Sequence, residues 1–108
     1  MKHEKLIELI NQTLGVDIKK ETRIREYVYA RFIYAKIMRD KGFSLSYIGN
    51  TINKDHSTII HALKQFELLK KYEDFKKMYN KVRIAIYKEE RPIYFTHLKQ
   101  CKYEIRRY

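Results

Sequence analysis

Residues 54–65, KDHSTIIHALKQ, combine two histidines, an acid, two hydroxyls and two lysines with a run of aliphatic residues. Side chains of these types can bind a metal ion, form a nucleophile with its base, cap a helix, or contact another molecule. The spacing of the side chains separates these possibilities.

A metal site is not favoured by this spacing. His56 and His61 are five residues apart, whereas metal-binding pairs on a helix are three or four apart, as in H-E-x-x-H. The chain has one cysteine, Cys101, which is far away in the sequence. We therefore expect no metal cofactor.

A catalytic site is not favoured either. Ser57 and His61 are four residues apart and could meet on a helix, but the sequence has no nucleophile elbow and no paired acids. It also contains no phosphate-binding motif of the form G-x-x-x-x-G-K-[ST]. We expect a protein that is not an enzyme and has no nucleotide cofactor.

A helix beginning after Asp55 would divide the segment into two faces. Ile59, Leu63 and Phe66 fall on one side, which we predict to be buried. One interpretation is purely structural: Asp55 caps the helix and the hydroxyls only fill its first turn. The opposite side carries Ser57, Thr58, His61, Lys64 and Gln65, with Lys54 and His56 at its N-terminal end.

The rest of the chain predicts an all-α helical bundle. Glycine and proline are rare, charged residues are frequent, and apolar residues recur at helical spacing. Gly15, Gly42 and Pro92 mark helix ends. The tail, residues 92–108, is predicted either as a short strand and a helix or as a docked extended arm. The predicted helices cover residues 3–14, 23–42, 44–52, 56–72 and 73–90.

Each predicted helix has an apolar side that we expect to face the core. Six tyrosines at helical positions are expected to be mostly core or half-buried: Tyr27, Tyr29, Tyr34, Tyr72, Tyr79 and Tyr87. The other predicted inward residues are Leu6, Ile7, Leu9, Ile10, Leu14, Ile24, Val28, Phe32, Ala35, Ile37, Met38, Leu45, Ile48, Ile52, Phe75, Met78 (or Tyr79), Val82 and Ile86.

Two short helices joined by a tight turn are a helix-turn-helix pattern. Ser44 and Asp55 are the predicted N-caps, and Asn53 tolerates the left-handed backbone that a tight turn needs. In this motif the second helix enters the major groove of DNA. Hydroxyl, imidazole and amide groups can form hydrogen bonds with base edges there, so the segment is a candidate DNA-binding surface.

The composition agrees with a polyanionic partner. Lys and Arg number 24 against 13 acids, which gives a net charge of +11 and an isoelectric point near 9.7. A basic surface that is merely solvated remains the alternative. The single cysteine, the absence of an apolar run that could span a bilayer and the charged N-terminus lead us to expect a cytoplasmic protein with no membrane partner.

Three blocks of sequence resemble the C-terminal DNA-binding domain of the bacterial replication initiator DnaA. KDHSTIIHALK is similar to that family's R-D-H-[ST]-T-V-[IL]-H-A, and SLSYIG is similar to S-L-P-E-I-G. RIREYVYARFIYAKIMRD is similar to R-x-R-E-[IV]-V-x-A-R-x-[IL]-A-M-Y-L-x-R. The blocks occur in the family's order over residues 22–70, while residues 1–20 and 92–108 have no counterpart among these motifs.

The resemblance implies an all-helical fold of the Trp-repressor-like type and binding of double-stranded DNA by a single domain, residues 1–108. The family's minor-groove arginine falls on Arg23, and Arg25 and Arg31 fall on basic positions for which we predict phosphate contacts. We add Lys64, on the same face of the helix, to the candidate site. The family's base-contacting residues fall on Lys54, Asp55, His56, Ser57, Thr58 and His61.

The chain departs from the family's pattern in three ways. Lys54 replaces an arginine, so a two-point contact with guanine becomes a single-point contact. The turn GNTINKD is one residue shorter and lacks a glycine pair, so we expect a slightly different angle between the helices. The family's ATPase module has no equivalent in these residues, so we expect the chain not to load ATP by itself.

These observations lead us to expect a stand-alone DNA-binding protein that acts in replication initiation or its regulation, encoded by a phage or mobile element. Its partners would be double-stranded DNA and replication or transcription proteins. Two alternatives stay open: a transcriptional regulator that binds a different sequence, and a protein-interaction module that has lost DNA binding. Binding that weakens steeply with salt would argue against the second alternative.

Overall fold

Residues 2–90 are described by the computed structural model, and they form five helices without a strand. The predicted all-α architecture is confirmed. The predictions for residues 92–108, including the strand or arm and Cys101, lie outside the described residues. The helices are α1 (His3–Leu14), α2 (Arg25–Asp40), α3 (Leu45–Thr51), α4 (His56–Leu69) and α5 (Glu73–Glu90).

The helix ends follow the local sequence. Helix α1 ends at Gly15, whose left-handed backbone (φ 68°) lets its N–H donate to the carbonyl of Asn11. Ser44 caps α3 by accepting a hydrogen bond from the N–H of Tyr47 at 3.1 Å. These predicted ends are confirmed, as is the start of α5 at Glu73, whereas its predicted end before Pro92 lies outside the described residues.

Three predicted helices, α2, α3 and α4, are shorter in the structure. Helix α2 begins at Arg25 because Ile24 has an extended backbone (φ −58°, ψ 132°), and it ends at Asp40 before Gly42. Ile24 is consequently 53% exposed, so its predicted inward position is wrong. Helix α4 ends at Leu69, and Tyr72 beyond it is exposed rather than buried.

Helix α2 lies at the centre of the bundle. It packs against α1, α3, α4 and α5, and α1 packs along α5. Because neighbours surround it, α2 buries Ala30 and Ile33, which the predicted inward set did not include, together with Tyr34, whose burial was expected. The buried core comprises Leu6, Ile7, Ile10, Ile18, Ala30, Ile33, Tyr34, Ala35, Ile37, Met38, Ile48, Ile52, Ile59, Ala62, Phe66, Phe75 and Val82.

The other predicted inward residues lie at the margin of this core. Tyr27, Tyr29 and Tyr79 are half-buried as expected, whereas Tyr87 on α5 is exposed. The half-buried members of the predicted set are Leu9, Leu14, Val28, Phe32, Leu45, Met78 and Ile86.

Among residues 2–90, no helix combines the length and apolar character that crossing a bilayer requires.

Candidate nucleic-acid interface

The turn between α3 and α4 is held closely against α3. Asn53 adopts the predicted left-handed backbone (φ 57°), and the N–H of Lys54 donates to the carbonyl of Gly49 at 2.8 Å. A Cβ atom at Gly49 would collide with the carbonyl oxygen of Lys54. The close approach that sets how α4 leaves α3 therefore depends on a glycine inside α3.

The N-terminus of α4 is capped as predicted. The carboxylate of Asp55 accepts from the backbone N–H of Ser57 at 2.9 Å and from the Ser57 hydroxyl at 2.8 Å. These hydrogen bonds from Ser57 lower the pKa of Asp55 below its usual value. Because both carboxylate oxygens are engaged, the structure gives Asp55 a capping role, and contact with a base stays a prediction.

The two faces of α4 are divided as the spacing predicted, except at Gln65, which was predicted on the polar side and is half-buried. Ile59, Ala62 and Phe66 are buried, and Leu63 is half-buried. The opposite face is open to solvent and carries His56, Ser57, Thr58, His61 and Lys64. Helix α4 is therefore fixed to the core along one side and presents polar side chains along the other.

His61 is oriented by an aromatic neighbour. Its ring meets the ring of Phe32 edge-on, with centroids 6.2 Å apart. Thr58 and His61 lie at the edge of a hollow of about 180 Å³ between α2 and α4, which Val28 and Phe32 also line. The exposed imidazole is thus held against α2 rather than extending freely into solvent.

Lys54 has a partner that the sequence did not reveal. Its ammonium lies 3.0 and 2.8 Å from the two carboxylate oxygens of Glu21, in the segment between α1 and α2. The side chain of Lys54 is 18% exposed, whereas that of Glu21 is 79% exposed. The hydrogen bond and the charge of Lys54 lower the pKa of Glu21. No local motif could predict this pair because 33 residues separate its members.

Arg31 holds the same connecting segment in place. Its guanidinium donates to the carbonyls of Ile18 at 3.0 Å, Lys20 at 2.6 Å and Thr22 at 3.0 Å. An irregular segment leaves its carbonyls without helical partners, and the several donors of one arginine satisfy three of them. This gives Arg31 an internal structural role, and the phosphate contact predicted for it stays a prediction.

Two other predicted basic residues lie where the segment enters α2. Arg23 is exposed and forms no ion pair or hydrogen bond with another residue in the range 2–90. Arg25 is 61% exposed, lies 3.4 Å from a carboxylate oxygen of Asp74, and stacks over the ring of Tyr29 at 5.6 Å. Because Glu21 contacts Lys54, the structure brings the segment that carries Arg23 beside the N-terminus of α4.

Comparison with known proteins gives one family and no individual relative. A family model described as the bacterial dnaA protein helix-turn-helix matches residues 4–65, more than half of the chain. No curated protein and no solved structure gives a significant match. The matched range runs from α1 into α4, so it includes the first helix, for which the sequence motifs offered no counterpart.

Proposed function

Because the chain belongs to the bacterial DnaA helix-turn-helix family, whose domains bind DNA, we propose that it binds a specific sequence of double-stranded DNA through the first turns of α4. We further propose that residues 1–108 act as one DNA-binding domain. The proposed role is in replication initiation or its regulation.

One observation carries this proposal: the exposed polar face at the N-terminus of a helix whose other face is buried. Thr58 and His61 lie on that face, and Phe32 restricts the imidazole. An imidazole that is restricted before binding loses little conformational freedom when it contacts a base, and Thr58 is exposed one turn before it. Thr58 and His61 are therefore the residues that we propose to contact base edges, with Ser57 and His56 beside them.

The basic residues supply contacts to the DNA backbone in this proposal. Arg23 enters the minor groove from the segment before α2, while Arg25 and Lys64 contact phosphates. Arg31 already donates hydrogen bonds to three carbonyls, so it would contact a phosphate only through its remaining N–H groups. Positive charge at these positions agrees with the net charge of +11.

Lys54 is the observation that favours a second candidate function. A lysine forms a single-point contact where the family has an arginine, so discrimination at that base is relaxed. A protein with this change could act as a transcriptional regulator that binds a different sequence. The two functions differ in the DNA that they select.

Selection from a pool of random duplexes tests the proposal and separates the candidates. We expect recovery of a common site, with an initiator-type sequence supporting replication and an unrelated motif supporting the regulator. Affinity should be measured on the selected duplex and on a scrambled one while salt rises from about 50 to 200 mM. Neutralising about six phosphates would reduce affinity about a thousandfold over that range. Absence of salt-dependent binding to both duplexes would overturn the proposal.

A further inference from the structure

Lys54, a proposed base-contacting residue, is bound to an acid of its own chain. The Glu21 carboxylate engages the Lys54 ammonium through both oxygens, at 2.8 and 3.0 Å. With a side chain only 18% exposed, Lys54 has little freedom to extend into solvent. In the free protein its charge is therefore largely compensated before any DNA arrives.

The position of Glu21 is itself fixed. Arg31 binds the carbonyls on either side of it, those of Lys20 and Thr22. The backbone that carries Glu21 is consequently fixed beside the N-terminus of α4, and Lys54 holds the carboxylate itself. Glu21 nevertheless remains 79% exposed, so its carboxylate can turn to solvent when another acceptor replaces it.

We propose that Glu21 determines binding specificity by withholding Lys54 from DNA phosphates until α4 is fully seated in the major groove of the correct site. This inference rests on the proposed function. Non-specific complexes depend on phosphate contacts, and a lysine neutralised by its own carboxylate offers them little. In the specific complex, base acceptors approach the first turn of α4 and can take the ammonium from Glu21.

The proposal predicts what Glu21→Gln does to binding of a scrambled duplex. Freeing Lys54 adds about one phosphate contact, so the salt slope steepens by about 0.9. Between about 50 and 200 mM salt, the affinity of this variant for the scrambled duplex therefore falls by about 3.5-fold more than that of the wild type. Affinity for the scrambled duplex at low salt rises more than affinity for the selected duplex, and the ratio between the two falls.

Glu26→Gln is the matched control. Glu26 lies in the first turn of α2, is exposed, and forms no ion pair with another residue in the range 2–90. Removing its charge reports the general effect of one acid fewer near the DNA. We expect affinity for the scrambled duplex to rise less in Glu26→Gln than in Glu21→Gln, with no change in the salt slope.

The double variant Glu21→Gln/Lys54→Gln shows whether Glu21 acts through Lys54. In the Lys54→Gln background, Glu21→Gln should behave like the Glu26→Gln control, and thermal unfolding confirms that each variant is folded. The proposal is overturned if Glu21→Gln and Glu26→Gln change scrambled-duplex binding equally, or if the effect of Glu21→Gln persists without Lys54. Failure of the wild type to bind any duplex would instead overturn the proposed function.

Discussion

The hydroxyl of Tyr34, at the centre of α2, lies 2.6 Å from the hydroxyl oxygen of Thr51 at the end of α3. Since Thr51 donates to the carbonyl of Ile48 at 2.6 Å, Tyr34 is the donor to Thr51. Burial raises the pKa of the Tyr34 phenol above its ordinary value of 10.0. The first helix of the helix-turn-helix is thus joined to the core through a partly buried hydroxyl pair.

Tyr34→Phe should reduce the free energy of unfolding by about 1 kcal/mol, the typical net value of an intramolecular hydrogen bond. The ring would still fill its place in the core, so the loss reports the hydroxyl alone. Urea unfolding followed by circular dichroism measures it. Tyr29→Phe is the control, because Tyr29 is half-buried and its hydroxyl has no hydrogen-bond partner within residues 2–90. Equal stability of the two variants would show that the Tyr34 pair contributes nothing.

The helices and several of their ends were predictable because their causes are local. Ser44 and Asp55 form their caps with residues two or three positions away, and Gly15 ends α1 through its own backbone conformation. The division of α4 into a buried and an exposed face also follows from its own periodicity. These features need only the neighbouring sequence.

The rest depends on which elements meet in three dimensions. Ala30 and Ile33 are buried because α2 is surrounded, whereas Ile24 is exposed because its backbone is extended before the helix begins. The pairing of Glu21 with Lys54 depends on the path of an irregular segment, which no periodicity describes. The sequence could therefore identify the proposed DNA-binding face but not the contacts that hold its basic residues.

Thr58→Ala and His61→Ala should weaken binding of the selected duplex far more than binding of a scrambled duplex. Loss of a good base contact costs about 1–3 kcal/mol of discrimination, which corresponds to about 5- to 150-fold in affinity. Fluorescence anisotropy with both duplexes at one salt concentration measures the difference. Thr13→Ala, on α1, provides a control for removal of a threonine elsewhere. If the Thr58 and His61 variants bound the selected duplex like the wild type, the assignment of the base-contacting face would be wrong.

Arg25→Ala should weaken binding of both duplexes about equally, since a phosphate contact carries no base preference. The slope of log affinity against log salt should become shallower by about 0.9, the contribution of one phosphate. Titrations at several salt concentrations measure this slope. Arg83→Ala is closely matched, because Arg83 stacks over Tyr79 at 5.5 Å as Arg25 stacks over Tyr29 at 5.6 Å. An unchanged slope in Arg25→Ala, or the same change in both variants, would contradict the predicted contact.

The cap at Asp55 should make stability depend on pH in the acid range. Hydrogen bonds from Ser57 lower the pKa of Asp55 in the folded protein below its ordinary value of 3.8. The cap therefore stabilises the fold fully above pH 3.8, and this contribution is lost as pH falls through the lower folded-state value. Asp55→Asn keeps an acceptor for the N–H of Ser57 but has no proton to gain, so its stability should fall less over the same interval.

Urea unfolding at a series of pH values between about 2 and 6 tests this dependence, since the window spans the ordinary range of aspartate. The Glu21–Lys54 pair also stabilises the fold less at low pH, because Lys54 lowers the pKa of Glu21. Both the wild type and Asp55→Asn should therefore lose some stability at low pH. The informative quantity is therefore the difference between wild type and Asp55→Asn. That difference should be constant above pH 3.8 and shrink below it as the wild-type carboxylate is protonated. A difference that stays constant to the lowest pH would mean that the charge of Asp55 does not contribute to capping α4.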